Sequence, residues 1–113
     1  GSVLAPALNT DYGILVGSGA SPAYDPSKYA LDSPIGAGAM EPSETTIQIS
    51  AENVITISRS FTNKSGGDIT VTEVALVMDW QGFYFMLAYD VISGGVTVPD
   101  GATLTLKYTI SLS

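Results

Sequence analysis

With 113 residues the chain is long enough for one domain whose core needs no disulfide or metal staple. It contains no Cys and no His, which excludes a disulfide framework, a thiolate or imidazole metal site, and any imidazole base or pH switch. Eleven acids against four cations (Lys28, Arg59, Lys64 and Lys107) leave a net charge of −7, which repels a phosphate backbone and argues against nucleic-acid binding. Charged residues make up only 13% of the chain and hydrophobic ones 45%, so Ser, Thr, Gly and some apolar side chains must cover the surface. That balance suits a protein that buries surface in an assembly. No apolar run approaches the roughly 18 to 20 residues of a bilayer span, and no basic region leads into an apolar stretch, so neither membrane insertion nor a signal peptide is expected.

Gly1-Ser2 reads as the scar of a removed expression tag, leaving 3–113 as a single domain: an irregular arm over 3–42 and a strand-rich body over 43–113. The arm holds five of the six prolines, which forbids a long regular element. One short strand is expected at Tyr12-Gly13-Ile14-Leu15-Val16-Gly17, and a single helical turn over Ser27-Lys28-Tyr29-Ala30-Leu31. The density of Tyr, Leu, Ile and Met marks the rest of the arm as ordered chain laid over the body.

From Glu44 onward strands follow one another without helical periodicity. Thr45 to Ser50 is a strand with Ile47 and Ile49 on one face, turned by Ala51-Glu52-Asn53 into a long strand from Val54. There Ile55, Ile57, Arg59 and Phe61 alternate with Thr56, Ser58, Ser60 and Thr62. Folding this segment about residues 64–68 onto Ile69, Val71, Glu73, Ala75 and Val77 makes a hairpin with Phe61 opposite Val71, Ile57 opposite Ala75 and Arg59 opposite Glu73. Two opposite charges in otherwise apolar rows predict a buried structural ion pair, bidentate between guanidinium and carboxylate. The second arm continues to Trp80 and turns at Gln81-Gly82 into Phe83–Val91; Ser93-Gly94-Gly95 breaks that strand before Val96-Thr97-Val98. After the turn Pro99-Asp100-Gly101, Leu104, Leu106, Tyr108, Ile110 and Leu112 alternate with polar residues in the last strand. Six or seven strands with tight turns and no crossover helix imply an all-β, antiparallel two-layer sandwich, jelly-roll or Ig-like, with an irregular N-terminal arm.

No constellation in the chain carries catalytic chemistry. Arginine is no base at neutral pH, and Asp79 with Asp90 is the kind of carboxylate pair that eleven scattered acids produce by chance. Asp25, Asp32, Asp68 and Asp100 are isolated turn residues without calcium-loop spacing, and Gly17-Ser18-Gly19 and Lys64-Ser65-Gly66-Gly67 are turns rather than phosphate loops. Asn63-Lys64-Ser65 is a glycosylation sequon at what the hairpin makes an exposed tip. The chain is therefore read as a non-enzyme with no catalytic residue, metal or cofactor. The second hairpin arm and Phe83–Val91 are apolar on both faces, and a strand apolar on both sides must be covered on both. The arm can cover one side and a neighbouring subunit the other, which makes Trp80, Phe83, Tyr84 and Phe85 the candidate interface or ligand surface.

The order of motifs resembles a domain of structural and tail-associated proteins of tailed bacteriophages. The resemblance is carried by Thr10-Asp11-Tyr12-Gly13-Ile14-Leu15-Val16-Gly17-Ser18-Gly19, by Lys28-Tyr29-Ala30-Leu31-Asp32-Ser33-Pro34-Ile35 and, most specifically, by residues 59–74. Met86–Val91 and Val96–Ile110 complete it over nearly the whole chain. Where the pattern leads one to expect Arg before Asp90 this chain has Tyr89, so no second ion pair is assigned there. The resemblance implies a virion protein acting in particle or tail assembly or in host-surface attachment. Its expected partners are copies of itself (a trimer if it belongs to a fibre or spike), other virion proteins, and a host-surface glycan in the attachment case. A carbohydrate-binding module, with rings such as Trp80, Tyr84 and Tyr89 in one plane, and a bacterial surface adhesin domain are the alternatives.

Overall fold

The computed structural model describes residues 1–19, 31–50 and 53–111. Among the described residues there are seven strands and no helix: β1 Gly13–Gly17, β2 Met40–Pro42, β3 Thr46–Ile49, β4 Val54–Asn63, β5 Ile69–Trp80, β6 Phe83–Val98 and β7 Thr103–Ser111. They form two antiparallel sheets packed as a sandwich. One sheet runs β1-β5-β6; in the other, β4 is flanked on one side by β2 and β3 in succession and on the other by β7. The helical turn expected over 27–31 and the tip at 51–52 fall outside the described residues, apart from Leu31. Ser50 N–H donates to the Val54 carbonyl beside that tip. Ser2, set aside in the sequence, belongs to the fold: it exchanges backbone hydrogen bonds of 2.8 and 2.7 Å with Asp79.

The hairpin expected between β4 and β5 does not exist. Phe61 pairs with Pro42 and Leu104, Ile57 with Ile47 and Tyr108, Val71 with Val96, and Ala75 with Leu15 and Tyr89. Residues 64–68 carry the chain from one sheet to the other, and residues 99–102 do the same beside them. Phe61, Ile57 and Val71 share one core cluster, but they meet across the layer between the sheets rather than side by side within one. An apolar period of two is the same in either arrangement.

What makes this loop an arch is Asn63, wholly buried at the end of β4. Its amide donates to the carbonyls of Gly67 (2.7 Å) and Val98 (2.8 Å), and its oxygen accepts from Ser65 N–H (2.9 Å) and Oγ (2.7 Å). All four hydrogen-bonding sites of the side chain are used, which ties the first arch to the start of the second. Backbone bonds between Asn63 and the 101–102 pair finish the knot. An Asn held in this way cannot present its nitrogen for glycosylation, so the sequon reading is overturned.

A bulge decides which side chains of β5 enter the core. Between the pairs Val71↔Val96 and Glu73↔Val91, one residue of β5 (Thr72) faces four of β6 (92–95), with Gly94 and Gly95 at φ 77° and 71°. The expected break at Ser93-Gly94-Gly95 is this bulge, not a strand end. It reverses the alternation: Val71, Val74 and Leu76 face the inter-sheet core with Ile14, Val16, Ile57 and Phe61, whereas Glu73, Ala75 and Val77 face the opposite side. There Ala75 and Val77 form a second small cluster with Leu31, Met86 and Tyr89, against which Tyr12 and Leu15 pack. Tyr12, Leu15 and Leu31 of the N-terminal arm thus lie over the outer face of this sheet.

The turn at Gln81-Gly82 is the two-residue type with positive φ at both positions (52° and 87°), matched to the twist of the strands it joins. On the other sheet the outer face is a hydroxyl surface, with Ser60 Oγ 2.8 Å from Thr105 Oγ1 and Thr62 Oγ1 3.0 Å from Thr103 Oγ1.

Candidate functional site

Arg59 and Glu73 do not form an ion pair. They lie on β4 and β5, in different sheets, and on opposite sides of the β1-β5-β6 sheet: Arg59 shares the inward row of Ile57 and Phe61, while Glu73 shares the outward row of Ala75. Each is buried, at 1% and 0% exposure: Arg59 is satisfied by backbone carbonyls, and Glu73 by backbone N–H groups and one tyrosine hydroxyl.

The Arg59 guanidinium donates through all five of its N–H groups. Nε reaches the Ser43 carbonyl at 2.7 Å, Nη1 those of Tyr12 (3.2 Å) and Ile14 (3.0 Å), and Nη2 those of Pro6 (3.0 Å) and Asn9 (2.5 Å). Its Cζ also sits 5.6 Å from the Phe61 ring centroid. A planar fork of five donors matches irregular chain whose carbonyls converge from several directions. Burial lowers its pKa to about 10, opposed by the nearby Tyr12, so the group stays cationic at neutral pH.

Glu73 is the complement. Oε2 accepts from the N–H of Gly19 (2.9 Å) and Ser33 (2.8 Å), and Oε1 from the N–H of Asp32 (3.0 Å) and the Tyr89 hydroxyl (2.7 Å). Burial alone would raise its pKa, but these donors outweigh it and hold the carboxyl below its ordinary value. Gly19 and the Asp32-Ser33 pair are thereby pinned to one carboxylate, and Tyr89, where an Arg was expected, supplies the fourth bond. Close approach is required at Gly17, which faces Glu73 across β1 and β5. A Cβ there would run into the Glu73 carboxylate and come within 2.7 Å of the Ser33 carbonyl. Gly17→Ala should therefore cost about 1 to 3 kcal/mol, the usual range for overpacking a close-packed site. Urea unfolding measures it, and a loss under about 0.5 kcal/mol, the ordinary surface range, would show that β1 can give way.

The carboxylates Asp79 and Asp90 do not meet. Asp90 pairs with Val74, five residues along β5 from Asp79, a separation of about 17 Å at strand rise. That exceeds the reach of a glycosidase pair. Asp79 Oδ1 accepts from Gly82 N–H in the hairpin turn, and Asp90 Oδ2 accepts from the Tyr108 hydroxyl at 2.8 Å. The Tyr108 hydroxyl also lies 3.4 Å from the Val74 carbonyl and so ties the two sheets; burial and the Asp90 charge raise its pKa. Among the described residues no group of three or more metal-ligating side chains occurs, and no helix is long and apolar enough to cross a membrane.

The aromatic candidates divide between the two faces of their hairpin. Tyr84 lies on the arm-facing side, stacked on Tyr12 with centroids 6.2 Å apart and ring planes 16° from parallel. Trp80, Phe83 and Phe85 point the other way, on the face that carries Val74 and Leu76 toward the core, yet they are 49%, 67% and 47% exposed. Tyr89 is buried on Glu73. Ile47, Ile49 and Ile110, exposed on the facing sheet at the same end, were missed as surface residues; only the overhang of the strands, which no periodicity records, reveals them. No family model, curated protein or solved structure matches the chain.

Proposed function

We propose that the chain is a non-enzymatic structural domain of a bacteriophage particle, acting through protein contacts in particle or tail assembly or in attachment to the host surface. The observation that carries this reading is the pairing of an exposed row of aromatic side chains with three buried groups, Arg59, Glu73 and Asn63, that are committed to structure. Arg59, Glu73 and Asn63 are saturated by the fold and have no free atom for a substrate. Trp80, Phe83 and Phe85 meanwhile are large side chains left in water, where contiguous apolar surface marks an interaction site. The resemblance carried by residues 59–74 supplies the particle.

The carbohydrate module is less well supported, since Trp80 and Tyr84 are on opposite faces of the sheet and Tyr89 is covered. Mass spectrometry of purified particles of the phage that encodes the chain tests the proposal. A fixed copy number per particle is expected, and absence from the particle would overturn it. Saturable glycan binding lost in Trp80→Ala would favour the module.

A further inference from the structure

The sandwich is closed at one end and open at the other. At the closed end the two arches, tied by Asn63, seal the core over Phe61, Val71 and Val98. At the other end, beside the Ser2–Asp79 bridge, both sheets run on beyond the core, and among the described residues their inward side chains are left largely open. The inward row of one sheet continues from Val74 and Leu76 to Trp80, Phe83 and Phe85, and that of the other from Ile57 to Ile47, Ile49 and Ile110. Cross-strand partners share a face, so the pairs Ile57↔Ile47, Ile55↔Ile49 and Ile55↔Ile110 place these three isoleucines on the core side. They are nonetheless 42%, 71% and 42% exposed. All six residues stand on core-facing rows, yet about half of their surface remains exposed.

We infer that this open end is a self-association surface on which the same end of a second copy of the chain docks, each copy closing the core of the other. The inference deepens the assembly reading and rests on it. Charge selects the occupant. The molecule carries eleven acids against four cations, one of which is the buried Arg59, so two copies repel wherever their acidic surfaces meet. None of the six residues is charged, and the run from Trp80 to Tyr89 has no charge at all. Two identical ends can meet on these six side chains, because Asp79, the acid beside them in β5, lies on the opposite face of the sheet paired with Tyr84 and is engaged by the Gly82 N–H. A basic partner would find no carboxylate among the six to grip. A twofold contact needs a self-complementary patch of this kind, whereas a trimer needs two different surfaces.

The strand edges agree. Among the described residues β6 pairs with β5 and β7 with β4, and both reach this end as edge strands beside the contact. Half of three aromatic rings and three isoleucines amounts to roughly 600 Å² per copy, about the lower bound of a specific interface. An area at that lower bound is well short of an obligate interface, so the dimer is expected to form and dissociate with concentration.

Trp80 is the sole tryptophan, so its fluorescence reports directly on the contact. Sedimentation of the whole chain from about 1 to about 200 µM should show the mass passing from one copy to two, with Trp80 emission shifting to the blue over the same range. Phe83→Asp and Ile49→Asp, placed on opposite sheets at exposed positions, should each weaken association at least about tenfold while leaving the circular dichroism unchanged. Leu8→Asp, an exposed apolar residue on the arm, should not. A monomer at every concentration, or an association that both end variants leave intact, would overturn the inference. A monomer found in the particle removes the dimer alone, and a dimer absent from the particle removes the assembly role alone.

Discussion

Glu73→Ala should destabilise the protein by about 3 to 5 kcal/mol, a large share of the 5 to 15 kcal/mol typical of a domain. The substitution leaves three backbone N–H groups and the Tyr89 hydroxyl facing a void, and each unsatisfied buried group costs about 1 to 3 kcal/mol before relaxation or water entry recovers part of it. Glu73→Gln should cost less, about 2 kcal/mol. Its NH₂ can turn toward Asp32 and Tyr89, where the tyrosine hydroxyl can rotate to accept and only the Asp32 N–H is opposed. The pH dependence has a definite sign. Because the folded pKa lies below the unfolded one, Glu73 contributes its stability above the unfolded value of about 4.3 and loses it as pH falls through the folded pKa. The gap between wild type and Glu73→Gln, measured by urea unfolding, should be constant from pH 8 to about 5 and narrow in acid below about 4. A gap that widens in acid would mean that the carboxyl is bound as the neutral acid.

Strand positions were legible in the chain, whereas strand partners were not. β5 ends where the apolar run breaks at Gln81-Gly82, and Gly82 marked the tight turn there because it accepts positive φ without strain. The loop 64–68, by contrast, has the composition of a hairpin turn. It forms an arch because the buried Asn63 amide binds Val98, thirty-five residues away, a contact that no local pattern records. β2 was hidden because Pro42 ends it, and Pro is tolerated there at a sheet edge. Thr72 carries no mark of the bulge that turns Glu73 away from the row of Val71. Arg59 and Glu73 stood out correctly as charges in apolar rows, but the inferred register paired them wrongly. A physical signal for their true partners was present. An arm rich in Pro and Gly cannot satisfy its carbonyls and amides in a ladder, and buried backbone must find partners. One side chain with five donors and one with four acceptor sites supply them.

The Arg59 variants distinguish this arrangement from an ion pair. Arg59→Met keeps the length of the side chain but leaves the carbonyls of Pro6, Asn9, Tyr12, Ile14 and Ser43 without their donor, and should cost about 3 to 5 kcal/mol. Arg59→Lys keeps the charge, yet three donors on one nitrogen cannot reach five carbonyls spread around a plane, so about 2 to 3 kcal/mol should still be lost. A direct pair would tolerate Lys far better and would make removal of both charges cheaper than removal of one. Here the two residues bind different stretches of the arm, on opposite sides of a sheet, and removing one leaves every partner of the other in place. Urea unfolding of Arg59→Lys, Glu73→Gln and the double variant should therefore give losses that add to within about 0.5 kcal/mol, as for separate sites. A coupling of about 2 kcal/mol or more would mean that the two charges act on each other through β1, the strand that both sites hold.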